Sequence, residues 1–291
     1  MPTVLSVQSR VAYGHVGNAA AAFPLQRLGC EVWSLDTVAF SNHTGHGKWR
    51  GSVMPAETVA TLFEGIADLG VLGDCDAVLS GYLGALETGP VLLDIVARVK
   101  AANPNALFCC DPVIGDTDTG SYVRPGIAEF FRDVAVPRAD ILTPNLFELD
   151  FLTGCKIADL AAAVTAAEEL RRRGPATVMV TSLATAGDRI AMLAVGDDGA
   201  FVVETPRVPA EMNGCGDVTA ALFLARLLRG EPLPDALSAT ASAMYALIDG
   251  TVTSGRYELA LIEVQDELVS PSRKFAAVKI QPSSPPGAER G

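Results

Sequence analysis

The run Ala106-Leu107-Phe108-Cys109-Cys110 is uniformly apolar, and Asp111-Pro112-Val113-Ile114-Gly115-Asp116 follows it at once. A short apolar run bounded by turn chemistry reads as a buried strand. The polar turn then sits at the carboxyl end of that strand. The same unit recurs along the chain. Residues 4–7 run into Gln8-Ser9, residues 32–40 into the polar stretch 41–49, and residues 76–80 into Gly81-Tyr82-Leu83-Gly84. Residues 140–143 run into Pro144-Asn145-Leu146-Phe147-Glu148, and residues 177–180 into Thr181-Ser182. Between these units, residues 19–28, 58–69, 90–102, 127–134 and 160–173 carry helical apolar spacing. Such alternation predicts an α/β fold, a mainly parallel central sheet with helices on both faces. Residues 190–195 and 201–204 flank Gly196-Asp197-Asp198-Gly199, which predicts a late antiparallel hairpin. Three more helices are expected over 218–229, 234–248 and 257–268. In open sheets, ligands bind beyond the carboxyl ends of the strands, and the polar motifs share that placement.

The bulk numbers narrow the class. The chain has 291 residues, 49% apolar and 19% charged, enough for a large core. Residues 1–280 read as one domain, and the Pro/Ser-rich residues 281–291 as a disordered tail. No apolar run is long enough to span a membrane. The start, Met1-Pro2-Thr3-Val4, shows no basic signal region, so a cytoplasmic protein is expected. A net charge of -12 argues against non-specific nucleic-acid binding, and any phosphate must be held by a local site. The six cysteines show no C-x-x-C pair and read as reduced core thiols rather than disulfides.

The stretch Met212-Asn213-Gly214-Cys215-Gly216-Asp217-Val218-Thr219-Ala220-Ala221 carries the chemistry. Glycines let a backbone turn tightly and approach a ligand. The N–H groups at the start of the following helix favour an anion. An aspartate beside such a turn would repel a phosphate, so it needs a role. One role is a general base that takes a proton from a hydroxyl while the amides hold the transferring group. The other is an N-cap of the helix. Cys215, at that helix start, is read first as a small residue chosen for its size, and second as a thiol of lowered pKa that adds reversibly to an aldehyde.

Further candidates sit at strand ends. Asp111 and Asp116 suit Mg²⁺, or are simply turn residues. Asn145 and Glu148 lie one helical turn apart, as a water-mediated metal site or as a capping pair. The stretch Ser41-Asn42-His43-Thr44-Gly45-His46-Gly47-Lys48-Trp49 is a binding loop or a solvated one.

Taken together, Asn145-x-x-Glu148 and Gly214-Cys215-Gly216-Asp217 resemble the ribokinase-like superfamily of small-molecule kinases. Ser6-Val7-Gln8-Ser9, Tyr13-Gly14-His15-Val16-Gly17-Asn18, Phe40-Ser41-Asn42-His43-Thr44, Ser80-Gly81-Tyr82-Leu83-Gly84, Cys110-Asp111-Pro112-Val113 and Thr143-Pro144-Asn145 resemble the pyridoxal kinase family. The resemblance implies ATP-dependent phosphorylation of the 5′-hydroxymethyl group of pyridoxal, pyridoxine or pyridoxamine. It implies Mg²⁺, with Asp111, Asp116 and Glu148 as metal-side residues, a possible monovalent cation, and a homodimer. It places Ser9, His43, Thr44, Gly45 and Tyr82 around the pyridine ring. Asp111, Thr143, Glu148, Thr181 and Ser182 fall on the nucleotide side, with Thr205, Pro206, Arg207 and Val208. Asp217 is then the base, and Gly214, Cys215 and Gly216 form the anion hole. The sequence departs from some bacterial members at Thr181, where they carry Lys, and at Cys215, where Val or Thr is usual. A hydroxymethylpyrimidine kinase would use the same machinery with a different ring pocket. A non-catalytic vitamer-binding protein would have no need of Asp217. A nicotinamide dehydrogenase is disfavoured, because Gln8-Ser9-Arg10 stands where a G-x-G-x-x-G loop would belong.

Overall fold

In β1 (Thr3–Val11) every residue from Thr3 to Gln8 is buried, as expected of a strand covered on both faces. The computed structural model describes residues 1–185, 187–210 and 212–280; the expected tail at 281–291 lies outside the described residues. After β1 come α1 (Asn18–Arg27), β2 (Glu31–Phe40), β3 (Gly51–Val53), α2 (Ala56–Asp68), β4 (Ala77–Ser80), α3 (Thr88–Ala102) and β5 (Leu107–Cys110). A small hairpin of β6 (Gly115–Asp116) and β7 (Gly120–Ser121) precedes α4 (Ile127–Phe130), β8 (Ile141–Leu142), α5 (Leu146–Thr153) and α6 (Leu160–Arg173). The remainder is β9 (Thr177–Ala184), β10 (Arg189–Gly196), β11 (Gly199–Pro206), α7 (Cys215–Leu228), α8 (Leu233–Thr253), α9 (Gln265–Val269) and β12 (Val278–Lys279).

The main sheet runs in the order β12-β11-β10-β9-β8-β5-β4-β1-β2-β3. Pairs from β2 through β1, β4, β5 and β8 to β9 are parallel. The β10–β11 hairpin is antiparallel, as are β9–β10, β11–β12 and β2–β3. Successive residues of a strand feed opposite faces. Leu5, Phe108 and Cys110 join one core under α2, α3 and α6, where Phe63, Leu92 and Leu170 pack. Val4, Leu79 and Cys109 join the other, with Leu25 of α1, Phe223 of α7 and Met244 of α8. Helices therefore cover both faces, and the late hairpin is where Gly196 to Gly199 put it.

Several expectations change. The helix expected over 257–268 is confined to α9, Gln265–Val269. Residues 257–264 are irregular, because Glu258 points to other loops while Leu259 and Leu261 are buried. The helix expected over 127–134 is α-helical only as far as Phe130, then widens into a π turn, Phe131–Ala135. Strand β9 runs on to Ala184, past the expected end at residue 180.

Candidate active site

Register decides what meets at the sheet edge. Leu35, Val7, Ser80, Cys110, Leu142 and Val178 pair in one line across six parallel strands. All six strands point the same way, so whatever follows this line emerges on one side. Ser9, Tyr82, Asp111, Thr143, Thr181 and Ser182 all do. Thr205 and Pro206 end β11, at the same end of the sheet but two strands beyond β9. Thr205 is buried, Arg207 is exposed, and Val208 is half-buried. The Arg207 N–H donates to the Asp188 carbonyl at 3.1 Å.

Helix α7 begins at Cys215, with Gly214 as its N-cap at φ 86° and no side-chain cap. Asp217 is thus the third helical residue. Its carboxylate does not cap its own helix but accepts the Gly17 N–H at 2.8 Å. Burial raises its pKa to about 6, and the Gly17 bond opposes the rise. That value suits a group that must accept a proton near neutral pH. Gly214 has no alternative here. A Cβ on it would lie 1.9 Å from the His15 carbonyl oxygen, and its φ is left-handed. Gly17 is as tightly placed, since a Cβ there would lie 2.0 Å from the Ser9 carbonyl oxygen. The expectation of a lowered Cys215 pKa is overturned. Burial, with the nearby Asp217 charge, pushes the thiol up to about 12. Desolvation outweighs the helix terminus, so Cys215 is a neutral, small residue.

On the other side of Asp217 lie buried acids. Asp111, 6% exposed, is held well above the usual carboxylate range by burial, then by the charges of Glu148 and Asp217. The Thr143 hydroxyl, buried and without a well-formed hydrogen bond, opposes that rise. A Cβ on Gly216 would lie 3.9 Å from Asp111 Oδ2, so Asp111 sits beside the turn. Glu148 is also buried, and burial raises it to about 8 against the donors of Ile114, Asn145 and Gly115. Its two oxygens accept the N–H groups of Ile114 and Asn145, each at 2.9 Å. Asn145 Oδ1 accepts the Glu148 N–H at 2.9 Å, which completes a capping box on α5. Asn145 and Glu148 are therefore a capping pair, and Glu148 is also a buried acid beside Asp111. Asp116 is committed locally. Its Oδ1 accepts the N–H groups of Asp118 and Thr119 and the Thr119 hydroxyl. Among the described residues, no three Asp, Glu, His or Cys side chains converge as a ready metal cage. Mg²⁺ does not require one, because it takes few protein carboxylates and the rest from phosphates and water.

The opposite side is made of loops. His43 caps the short turn Thr44–His46, its Nδ1 accepting the Gly45 N–H at 3.1 Å. Burial lowers its pKa, with His46 adding and Glu258 opposing, so the ring is neutral at pH 7. Gly45 faces Asn213 of the glycine turn, 3.4 Å from where its Cβ would be. Thr44 is exposed. Tyr82 is half-buried, and burial raises its phenol against the charge of Arg124. Ser9 is half-buried where β1 shifts register against β2.

Three contributors had no signal in the sequence, or only a weak one. Gly17 acts through a backbone N–H, which leaves no side-chain signature. Tyr122 lies just past the β6–β7 hairpin. The residue as a whole is 49% exposed, and its phenol is pushed up by local desolvation, then by the charges of Glu148, Asp111, Asp217 and Asp116. Glu258 was hidden inside an expected helix. Ser182 is unusual in another way, as a non-glycine at φ 60° in the middle of β9. Strained backbone of this kind clusters at functional sites.

A carboxylate of raised pKa beside a glycine turn, with acids at neighbouring strand ends, is the arrangement expected of a small-molecule kinase on a ribokinase-like fold. The family model for phosphomethylpyrimidine kinase matches residues 40–261. A pyridoxal kinase PdxY of Rubrobacter xylanophilus is 54% identical, over 95% of this chain and 97% of its own. One from Granulibacter bethesdensis is 50% identical, over 94% and 98%. The pyridoxal kinase of Leishmania donovani, solved with ADP and pyridoxamine, superposes with a TM-score of 0.91 at 31% identity, over 97% of this chain and 100% of its own. The chain belongs to the pyridoxal kinase family.

Proposed function

We propose that this chain transfers the γ-phosphoryl group of ATP to the 5′-hydroxyl of pyridoxal, and also of pyridoxine and pyridoxamine. One observation carries the reading. Asp217, its pKa raised to about 6, follows the Gly214–Gly216 turn, whose neighbour Asn213 faces Gly45 of the loop that carries the neutral His43. A neutral imidazole or aromatic face suits a pyridine ring. Asp217 takes the proton from the hydroxymethyl oxygen as that oxygen attacks phosphorus. The backbone amides at the start of α7 carry the charge on the transferring group, which in phosphoryl transfer is mostly positioning and electrostatics. His43, Thr44, Gly45, Ser9 and Tyr82 hold the ring. Thr143, Thr181, Ser182 and the segment Thr205, Pro206, Arg207 and Val208 face the nucleotide. Asp111 and Glu148 fit a divalent cation, because buried acids that raise one another's pKa are relieved by positive charge. Mg²⁺ there would neutralise polyphosphate charge. Asp116 would contribute to the same side only through the oxygen its turn leaves free.

Incubation with ATP, Mg²⁺ and each of the three vitamers is expected to give the 5′-phosphate. No product from any vitamer, with rapid product from hydroxymethylpyrimidine, would overturn the reading. That second substrate is kept because the matching family model is described as phosphomethylpyrimidine kinase, and hydroxymethylpyrimidine carries the same methylpyrimidine ring without the phosphate. Turnover of neither, with tight vitamer binding, would make the chain a carrier. We further propose a cytoplasmic homodimer. No described helix is long and apolar enough to cross a membrane, and light scattering would give the mass in solution. Activity measured in K⁺ against a bulky organic cation would test the monovalent ion.

A further inference from the structure

Glu258 lies outside the chemistry just described, yet two loops converge on its carboxylate. Its side chain is 11% exposed, in the irregular segment after α8. Oε2 accepts the His15 N–H at 3.1 Å, and Oε1 meets His46 Nε2 at 2.7 Å. Gly14, at φ 92°, lies so close that a Cβ would stand 2.2 Å from Oε2. The His46 ring is also held between Tyr13, at 5.9 Å, and Tyr257, at 4.8 Å. Each of these loops does something at the site. The loop of His46 carries His43, Thr44 and Gly45. The loop of His15 ends in Gly17, whose N–H holds Asp217, and its His15 carbonyl abuts Gly214.

We infer that Glu258 is a positioning residue that fixes the ring-side loop and the base-side loop against each other. The inference rests on the phosphotransferase reading above. A carboxylate is the right group for the task. It offers two acceptor oxygens on one rigid plane, and charge-assisted bonds are stronger and shorter than neutral ones. Loss of such a clamp shifts reacting atoms without removing any of them, and a displacement of about 1 Å costs up to about 10²-fold in rate.

The test compares Glu258→Ala with His46→Ala, by hydrogen exchange of the full-length protein and by steady-state kinetics. Glu258→Ala is expected to speed exchange over both 12–18 and 41–47. His46→Ala, which leaves the Glu258–His15 arm in place, is expected to speed exchange over 41–47 far more than over 12–18, where only the Tyr13 ring loses a neighbour. In kinetics, Glu258→Ala should raise the vitamer KM and lower kcat by about tenfold or more. The KM for ATP should stay at the wild-type value, because Asp111 and Thr143 follow β5 and β8 and Glu148 lies in α5, none of them in contact with Glu258. His46→Ala should raise the vitamer KM alone, so it decides the matter if Glu258→Ala fails to fold. Unchanged exchange in both loops, or an ATP KM that moves with the vitamer KM, would overturn the clamp. If wild type phosphorylates no vitamer, the pyridoxal reading fails, and the exchange pattern still decides the role of Glu258.

Discussion

On the proposed reading, the two sides of the site are built on opposite principles. The nucleotide side is set on strand ends and consists of buried acids whose charges oppose one another. The ring side is set on loops and offers neutral groups that are half-buried or exposed. The first stores unfavourable electrostatics that a cation relieves, and the second costs the fold little. Asp217 belongs to both. It is tied to the ring side by the Gly17 N–H and raises the pKa of Asp111 on the other.

Asp217→Asn cuts that junction and should have the largest effect. The size and most hydrogen bonds remain, but the side chain accepts no proton. We expect kcat to fall by at least ~10² with vitamer binding little changed. Wild-type activity should be lost as pH falls through about 6, the pKa at which the base protonates. Stability should move the other way. The folded pKa is raised from 3.8 to about 6, so the contribution of Asp217 is fully present below pH 3.8 and lost as pH rises through about 6. At pH 7 the ionised group therefore costs stability, and the variant should be more stable by about 1 to 2 kcal/mol after solvent screening. The gain should vanish below about pH 4. Denaturant melts at pH 7 and pH 4 check this, and a variant that melts earlier at pH 7 would mean that Asp217 holds the fold.

Gly214→Ala should come next. It forces a left-handed alanine against the His15 carbonyl, so the base-side loop of His15 and Gly17 must retreat from the turn. A loss of about 1 to 3 kcal/mol and about tenfold in kcat is expected. A crystal structure with His15 unmoved and normal turnover would show that the two sides are not braced there.

Glu148→Gln probes the nucleotide side alone. Glutamine has one acceptor oxygen in place of two, so it keeps the capping box by facing the Asn145 N–H and gives up the Ile114 N–H, and α5 should persist. The KM for Mg-ATP should rise by about tenfold at unchanged vitamer KM, as expected for loss of a charged contact. Wild-type rates across a Mg²⁺ titration would reduce Glu148 to its capping role. Cys215→Val should have the smallest effect. A thiol with a pKa of about 12 stays protonated at pH 7. The affinity ratio of pyridoxal to pyridoxine should be unchanged, and pyridoxal should leave no mass adduct on wild type. Such an adduct would restore the reactive thiol.

How much was legible follows the same division. Helix α6 was read to the residue, because Asp159 caps its start through the Ala162 N–H, while Arg171, Arg172 and Arg173 precede Gly174. The strand-end polar residues were legible because each follows an apolar run. Segment 257–264 was misread, since Leu259 and Leu261 supply apolar spacing while Glu258 bonds elsewhere. Strand β3 was invisible at Gly51-Ser52-Val53, too short for any period to show. Asn145 and Glu148 looked like a capping pair or a metal site, and nothing in their spacing could say that the capping glutamate is also a buried acid beside Asp111. Gly17 was quoted only within a family motif, because a backbone donor acquires its role from tertiary packing.

The contact between α1 and α7 has a consequence for how the protein is made. Gly17 leads into one helix near the beginning of the chain, and Asp217 lies in another beyond the last long strands. Strands β1, β2 and β4 can pair as soon as they emerge from the ribosome. The proton acceptor cannot be seated until α7 has been synthesised and docked onto α1. Such distant pairings form slowly, since loop closure precedes any gain from contact. A nascent chain stalled before α7 would therefore carry most of the ring-side loop and no competent site. Vitamer capture by chains of increasing length would then mark the moment at which folding is complete.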